Sequence, residues 1–254
     1  MDYERKAWRA RMRLIGVGVA GLAIGAAVAV GVVSLAEDDG PAAAADGEAT
    51  PAASAPGTPG AGPGRNFTPE TARRVSVLKP TVHTEGIGRG FEHSSLGALS
   101  AAVSYWQDLS FLDGALASRQ WKAITSKDSP GTVDRAVSKV RKIRETAGLP
   151  PAGGSPDGIT FTTSVEAVYA RSLDETGEIL DVWLHYDRYG VVRGEGADDD
   201  PLKDQTTNLI LKWEDGDWKV TEEEKYTRKS VLLVPYSPDS KDSFQLGWRK
   251  VSHG

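Results

Sequence analysis

With 254 residues the chain has room for one folded domain plus extensions, or two small domains. Its net charge of -5 argues against a protein that neutralises phosphates along a basic face, so direct nucleic-acid binding is not expected. The absence of cysteine excludes disulfides, thiolate metal sites, thiol nucleophiles and a lipidated N-terminal cysteine.

Residues 14–35 read LIGVGVAGLAIGAAVAVGVVSL, 22 positions without a charge. As a helix they would extend about 33 Å, against a hydrocarbon core of about 30 Å. Arg5, Lys6, Arg9, Arg11 and Arg13 precede the segment, and Glu37, Asp38 and Asp39 follow it. The positive-inside bias then keeps residues 1–13 in the cytoplasm and puts everything beyond residue 35 outside a plasma membrane, in a single pass. The competing reading is a cleaved signal peptide with Ser34 and Ala36 near the cut, but a signal core is usually about 7–15 residues. A retained anchor is the expectation. Gly21, Gly25 and Ala29 recur every fourth residue and make a candidate helix–helix contact through which the chain would form homo-oligomers.

Residues 37–64 hold nine Ala, six Gly and five Pro, with no Ile, Leu, Val or aromatic residue. Such a stretch buries too little apolar surface to offset its ordering entropy, so residues 36–80 are expected to be a disordered tether. Apolar residues return after Arg65, scattered among Gly and Pro, and this lead-in is expected to lie along the domain that fills residues 81–254.

Three helices are predicted next. Ser94 or Ser95 caps the first, whose Leu99, Ala102, Val103 and Trp106 fall at helical spacing. The second starts near Asp113 and buries Ala117, Trp121 and Ile124. Thr132 is the expected cap of the third, with Val133, Ala136, Val137, Val140, Ile143 and Ala147 on one stripe and Arg135, Lys139, Arg141, Lys142 and Arg144 on a solvated basic face.

Beyond Gly153-Gly154 the period becomes two. Ile159, Phe161, Val165, Ala167 and Tyr169 are expected on one buried strand face. Leu180, Val182, Leu184 and Tyr186 alternate with Asp181, Trp183, His185 and Asp187 in a second strand. Asp215-Gly216 predicts a two-residue turn that sets Glu214 opposite Asp217, Trp213 opposite Trp218 and Leu211 opposite Val220. The run 231–234 suggests one more strand, and Phe244, Leu246 and Trp248 a packed tail. Helices followed by long antiparallel strands make an α+β domain, N-terminal helices packed on a curved antiparallel sheet.

No catalytic, cofactor-binding or metal-binding constellation emerges. His185 and Asp187 share a strand face and are the one candidate for general-base chemistry, without a third orienting group. His83, His93, His185 and His253 are dispersed, and the run Asp198, Asp199, Asp200 lacks the alternating ligand spacing of a calcium loop. Tyr105, Trp106, Trp121, Trp183 and His185 are the candidate lining of a cavity or interface.

Two stretches carry a resemblance: GFEHSSLGALSAAVSY, residues 90–105, and LKWEDGDWKV, residues 211–220. Together with a basic tail, one anchor helix and a linker, they resemble membrane proteins of actinobacterial integrative conjugative elements. The same layout is similar to the bitopic assembly subunits of type IV secretion systems, whose exported domain is a nuclear-transport-factor-2-like cone. That resemblance implies a non-enzymatic scaffold that binds other membrane subunits of a transfer apparatus, with no catalytic residue and no cofactor. The alternative is a membrane-tethered extracytoplasmic ligand-binding module.

Overall fold

The computed structural model describes residues 67–156, 158–192, 196–197, 201–232 and 234–252. The anchor at residues 14–35, its Gly21, Gly25 and Ala29, the Asp198–Asp200 run and His253 lie outside them. Among the described residues no helix is long and apolar enough to cross a membrane.

Chain order is β1 (Val75–Ser76), β2 (Val82–Thr84), β3 (Ile87–Arg89), α1 (Ser95–Asp108), α2 (Gly114–Ile124), α3 (Gly131–Thr146), β4 (Ile159–Ser172), β5 (Ile179–Val192), β6 (Gly196–Ala197), β7 (Leu202–Glu214), β8 (Asp217–Val220), α4 (Glu224–Thr227), α5 (Lys241–Gln245) and β9 (Arg249–Ser252). The fold is α+β, a curled sheet in the order β1-β9-β4-β5-β7-β8 with α1, α2 and α3 on one face and the short α4 and α5 on the other. All its pairings are antiparallel except β1 with β9, and β6 adds to the far end of β5. The C-terminal part of the stretch 36–80, expected to be a disordered tether, is instead part of the domain, because Val75 is buried and paired to Val251. The glycine-rich lead-in holds a hairpin, β2–β3, turned by Glu85 and Gly86 at φ 55° and 80°.

Local sequence explains the helices. Ser94 Oγ accepts the Gly97 amide at 2.9 Å to start α1, and Asp113 Oδ1 accepts the Leu116 amide at 2.9 Å to start α2. Gly97 is required by close approach, since a Cβ there would sit 2.0 Å from the Glu92 carbonyl oxygen. Thr132 is not the cap of α3: the helix begins at Gly131, and the Thr132 hydroxyl donates to Glu222 at 2.7 Å. Nor does α3 present one basic face. Arg144 is buried and donates to the carbonyls of Leu112, Pro150, Ala152 and Gly154, which fixes the loop leaving the helix.

On β5 the alternation holds, with Leu180, Val182, Leu184 and Tyr186 in the core beneath α1. On β4 it breaks, because a bulge at Glu166 sets Val165 opposite Tyr186 but Ala167 opposite His185. Val165 and Val168 consequently join the core, while Ala167 and Tyr169 pair with His185 and Trp183 on the other face. The β7–β8 register matches the Asp-Gly expectation at Leu211, Trp213 and Glu214, with Asp215 and Gly216 at φ 53° and 75°. Residues 231, 232 and 234 form no strand, and Val231 is exposed. In the tail Phe244 and Trp248 are buried and both meet Tyr236, whereas Leu246, in the turn between them, is exposed.

The two stretches that carry the family resemblance pack into one unit. Asp217 accepts from Arg89 Nε at 2.9 Å and the Gly90 amide at 3.2 Å, Trp218 Nε1 donates to the Glu92 carbonyl at 2.9 Å, and the Tyr105 hydroxyl donates to the Trp218 carbonyl at 2.7 Å. His93 stacks on Trp213 at 4.2 Å with the rings nearly parallel. These residues hold the start of α1 to the last hairpin of the sheet.

Candidate functional site

The five residues expected to line one site separate into three places. Tyr105 is fully buried, its hydroxyl bonded to the hairpin backbone, and burial next to Asp217 raises its pKa. Trp183 and His185 point to the sheet face away from α1. Trp106 and Trp121 alone of the five meet, in a cleft.

The outer face combines a buried polar cluster around Asp181 with the aromatic side chains of Tyr169, Tyr236, Phe244 and Trp248. Asp181, with no exposure, accepts from Asn208 Nδ2 at 2.9 Å, Trp183 Nε1 at 3.0 Å and the Ser230 hydroxyl at 2.9 Å, and it pairs with Arg171 at 3.3 Å. His185 lies under Tyr236, with ring centroids 4.7 Å apart, and its Nε2 is 3.5 Å from Asp204 Oδ1. Burial lowers its pKa, against the pull of Asp204 and Asp187, and its buried Nδ1 has no hydrogen-bond partner. Asp187 is committed elsewhere, accepting from the Asp204 amide at 2.9 Å and the Tyr189 hydroxyl at 3.1 Å. The expected general-base pair is therefore not assembled. Among the described residues no group of three His, Asp or Glu side chains is placed to hold a metal ion.

The cleft lies where the three helices meet β5. Trp106 of α1, Trp121 of α2, Phe111 between them, and Lys139, Val140 and Ile143 of α3 line it, with Arg188 of β5 at its inner end. Its free volume is about 60 Å³, and it is half open to solvent. Arg188 continues the core-facing parity of β5 two residues past Tyr186, directly opposite Thr163 of β4. It is 7% exposed, and its Nε donates to Thr163 Oγ1 at 2.9 Å. The guanidinium carbon lies 4.0 Å over the Phe111 ring, 5.4 Å from the Tyr186 centroid and 5.9 Å from that of Trp106.

No carboxylate of a described residue pairs with Arg188, and Nη1 and Nη2 make no hydrogen bond to described residues. Arg188 is among the residues that line the cleft. Burial lowers the Arg188 pKa, against the pull of Tyr186, yet a guanidinium stays charged at neutral pH. Trp106 Nε1 is buried beside the Tyr186 hydroxyl at a geometry short of a hydrogen bond. Burial, reinforced by Arg135, pushes the Lys139 ammonium down to about 8.

A larger depression of about 450 Å³, at the start of α3, is wide open. Its charges are already matched, Arg135 with Glu222 and Lys225 with Glu223, so it offers a ligand little. Sequence reading missed Arg188. The signal was there, a cation placed on the same parity as four apolar β5 residues.

No protein-family model, curated protein or solved structure matches this chain.

Proposed function

We propose that this chain is a membrane-tethered, non-catalytic binding protein whose folded domain is of the nuclear-transport-factor-2-like kind, with the cleft between the three helices and β5 as its ligand site. The observation that carries the reading is the cleft itself, walled by Trp106, Phe111, Trp121, Val140 and Ile143 and furnished with two cationic side chains. Apolar walls with a few convergent polar groups are the usual composition of a ligand pocket. Helices α1, α2 and α3 over one face of a curled sheet support the fold assignment, and the uncharged segment 14–35 supports the tether.

The test is tryptophan emission of the full chain in lipid nanodiscs against a panel of small organic molecules, since Trp106 and Trp121 report on the cleft. Ala136 of α3 also lines the cleft, and binding that is lost when Ala136→Phe fills it, with the melting transition retained, supports the reading. A flat response across the panel overturns it.

A second reading, a scaffold subunit of a conjugative type IV secretion-like apparatus, is favoured by the packing of residues 89–105 and 211–220 into one unit. Motifs that recur together are explained when they build one structural element. This reading predicts that crosslinking in native membranes recovers other envelope subunits and the transfer ATPases, and that deleting residues 1–36 abolishes transfer while the domain stays folded. Recovery of the protein alone would count against it.

A further inference from the structure

We infer that the cleft takes an organic anion with an apolar body, its carboxylate or equivalent oxyanion seated on the Nη edge of Arg188. The inference rests on reading the cleft as a binding site and adds the chemical class of the ligand.

The other buried or half-buried arginines of the domain show what such a cation normally has. Arg144 spends its donors on four carbonyls, Arg249 donates to the carbonyls of Phe244 and Trp248, and Arg89 and Arg171 meet Asp217 and Asp181. Arg188, 7% exposed, has one neutral hydroxyl. A cation withdrawn from water without a counter-charge is costly, so a fold that keeps one next to a cleft is suited to receiving the counter-charge from outside.

The geometry fits that use. Thr163 holds Nε, and the Phe111 ring supports the guanidinium face at 4.0 Å, which fixes the plane and leaves the two Nη groups free. Those two parallel donors match the two oxygens of a carboxylate. Free space of about 60 Å³ is the share of roughly two water molecules, enough for a carboxylate head at the inner end. The apolar body would then lie along the aromatic and aliphatic side chains that line the rest of the cleft.

The test titrates the full chain in nanodiscs with 4-methylbenzoate and with the uncharged 4-methylbenzamide of nearly the same shape, read by tryptophan emission against empty nanodiscs. We expect the carboxylate to bind at least tenfold more tightly than the amide. Arg188→Met should abolish that preference while leaving the melting transition in place. Because the two probes are compared on the unaltered chain, a misfolded variant does not decide the outcome. Equal binding of both probes would overturn the anion assignment and leave the cleft as an apolar site. Displacement of 4-methylbenzoate by an equal concentration of inorganic sulfate would overturn the apolar-body part. If neither probe nor any panel member binds, the reading of the cleft as a ligand site fails with it.

Discussion

Asp217 offers the sharpest test of how this domain is held together. It is 5% exposed, and its carboxylate accepts hydrogen bonds from Arg89 Nε at 2.9 Å and the Gly90 amide at 3.2 Å, with Arg89 Nη2 at 2.9 Å and Lys219 Nζ at 3.7 Å as ion-pair partners. Asp217→Ala would leave the Arg89 and Lys219 side chains, 23% and 11% exposed, without their shared counter-charge. Breaking a fully buried pair costs about 3–5 kcal/mol. Residual solvent around Arg89 screens the loss, so we expect about 3 kcal/mol. Asp217→Asn keeps one acceptor and should cost roughly half as much. The assay is urea unfolding followed by tryptophan emission on Asp217→Ala, Arg89→Met and the double variant. A coupling near 2 kcal/mol is expected, because the second substitution removes a charge the first had stranded. Additivity to within about 0.5 kcal/mol, or a cost for Asp217→Ala under about 1 kcal/mol, would refute the argument that this pair locks the hairpin to the lead-in.

Three further outcomes follow from the structure. Arg188→Met should leave stability unchanged or raise it by about 1 kcal/mol, since it replaces an uncompensated buried charge with apolar volume; a loss above about 2 kcal/mol in urea unfolding would show that Arg188 is structural. Gly97→Ala should cost more than about 2 kcal/mol, because the new methyl would meet the Glu92 carbonyl oxygen at 2.0 Å and the backbone must shift; a melting temperature equal to that of the parent would contradict this. Burial holds the His185 pKa below its ordinary 6.5, so the unfolded chain takes up that proton first as pH falls. Stability should therefore decline from about pH 6.5 downwards until the folded-state pKa is passed, and His185→Gln should flatten that part of the profile; identical pH profiles for the two proteins would remove His185 as the cause.

What the sequence made legible was whatever local chemistry determines. The Ser94 and Asp113 caps, the alternation along β5 and the Asp215-Gly216 turn with its full register each depend on a handful of neighbouring residues. The bulge at Glu166 was not legible, because two opposed strands decide it and the β4 pattern is apolar enough on either parity. Thr132 carries a capping side chain but spends it on Glu222, a partner far along the chain. Arg144 looked like one of several solvent-facing cations, and its burial depends on three carbonyls that the following loop brings round to it and on that of Leu112 ahead of α2. The candidate site was half visible. Trp106 and Trp121 were singled out as cavity residues, whereas Trp183 and His185, on the opposite parity of β5 from Arg188, belong to the layer beneath Tyr236.

The placement of β9 has a consequence for the order in which the domain assembles. Its four residues, the last described strand of the chain, insert between β4 and β1, so Val75 finds its partner in Val251 only when nearly the whole domain has been made. Until then β4 presents a bare edge, and the lead-in that joins the domain to the preceding segment has nothing to lie against. Pairing of such distant segments is entropically slow, so closure of the sheet between β4 and β1 is expected late in folding. A folding intermediate that lacks β9 would carry a bare β4 edge and an unanchored lead-in side by side, two surfaces open to pairing with another chain until the sheet closes.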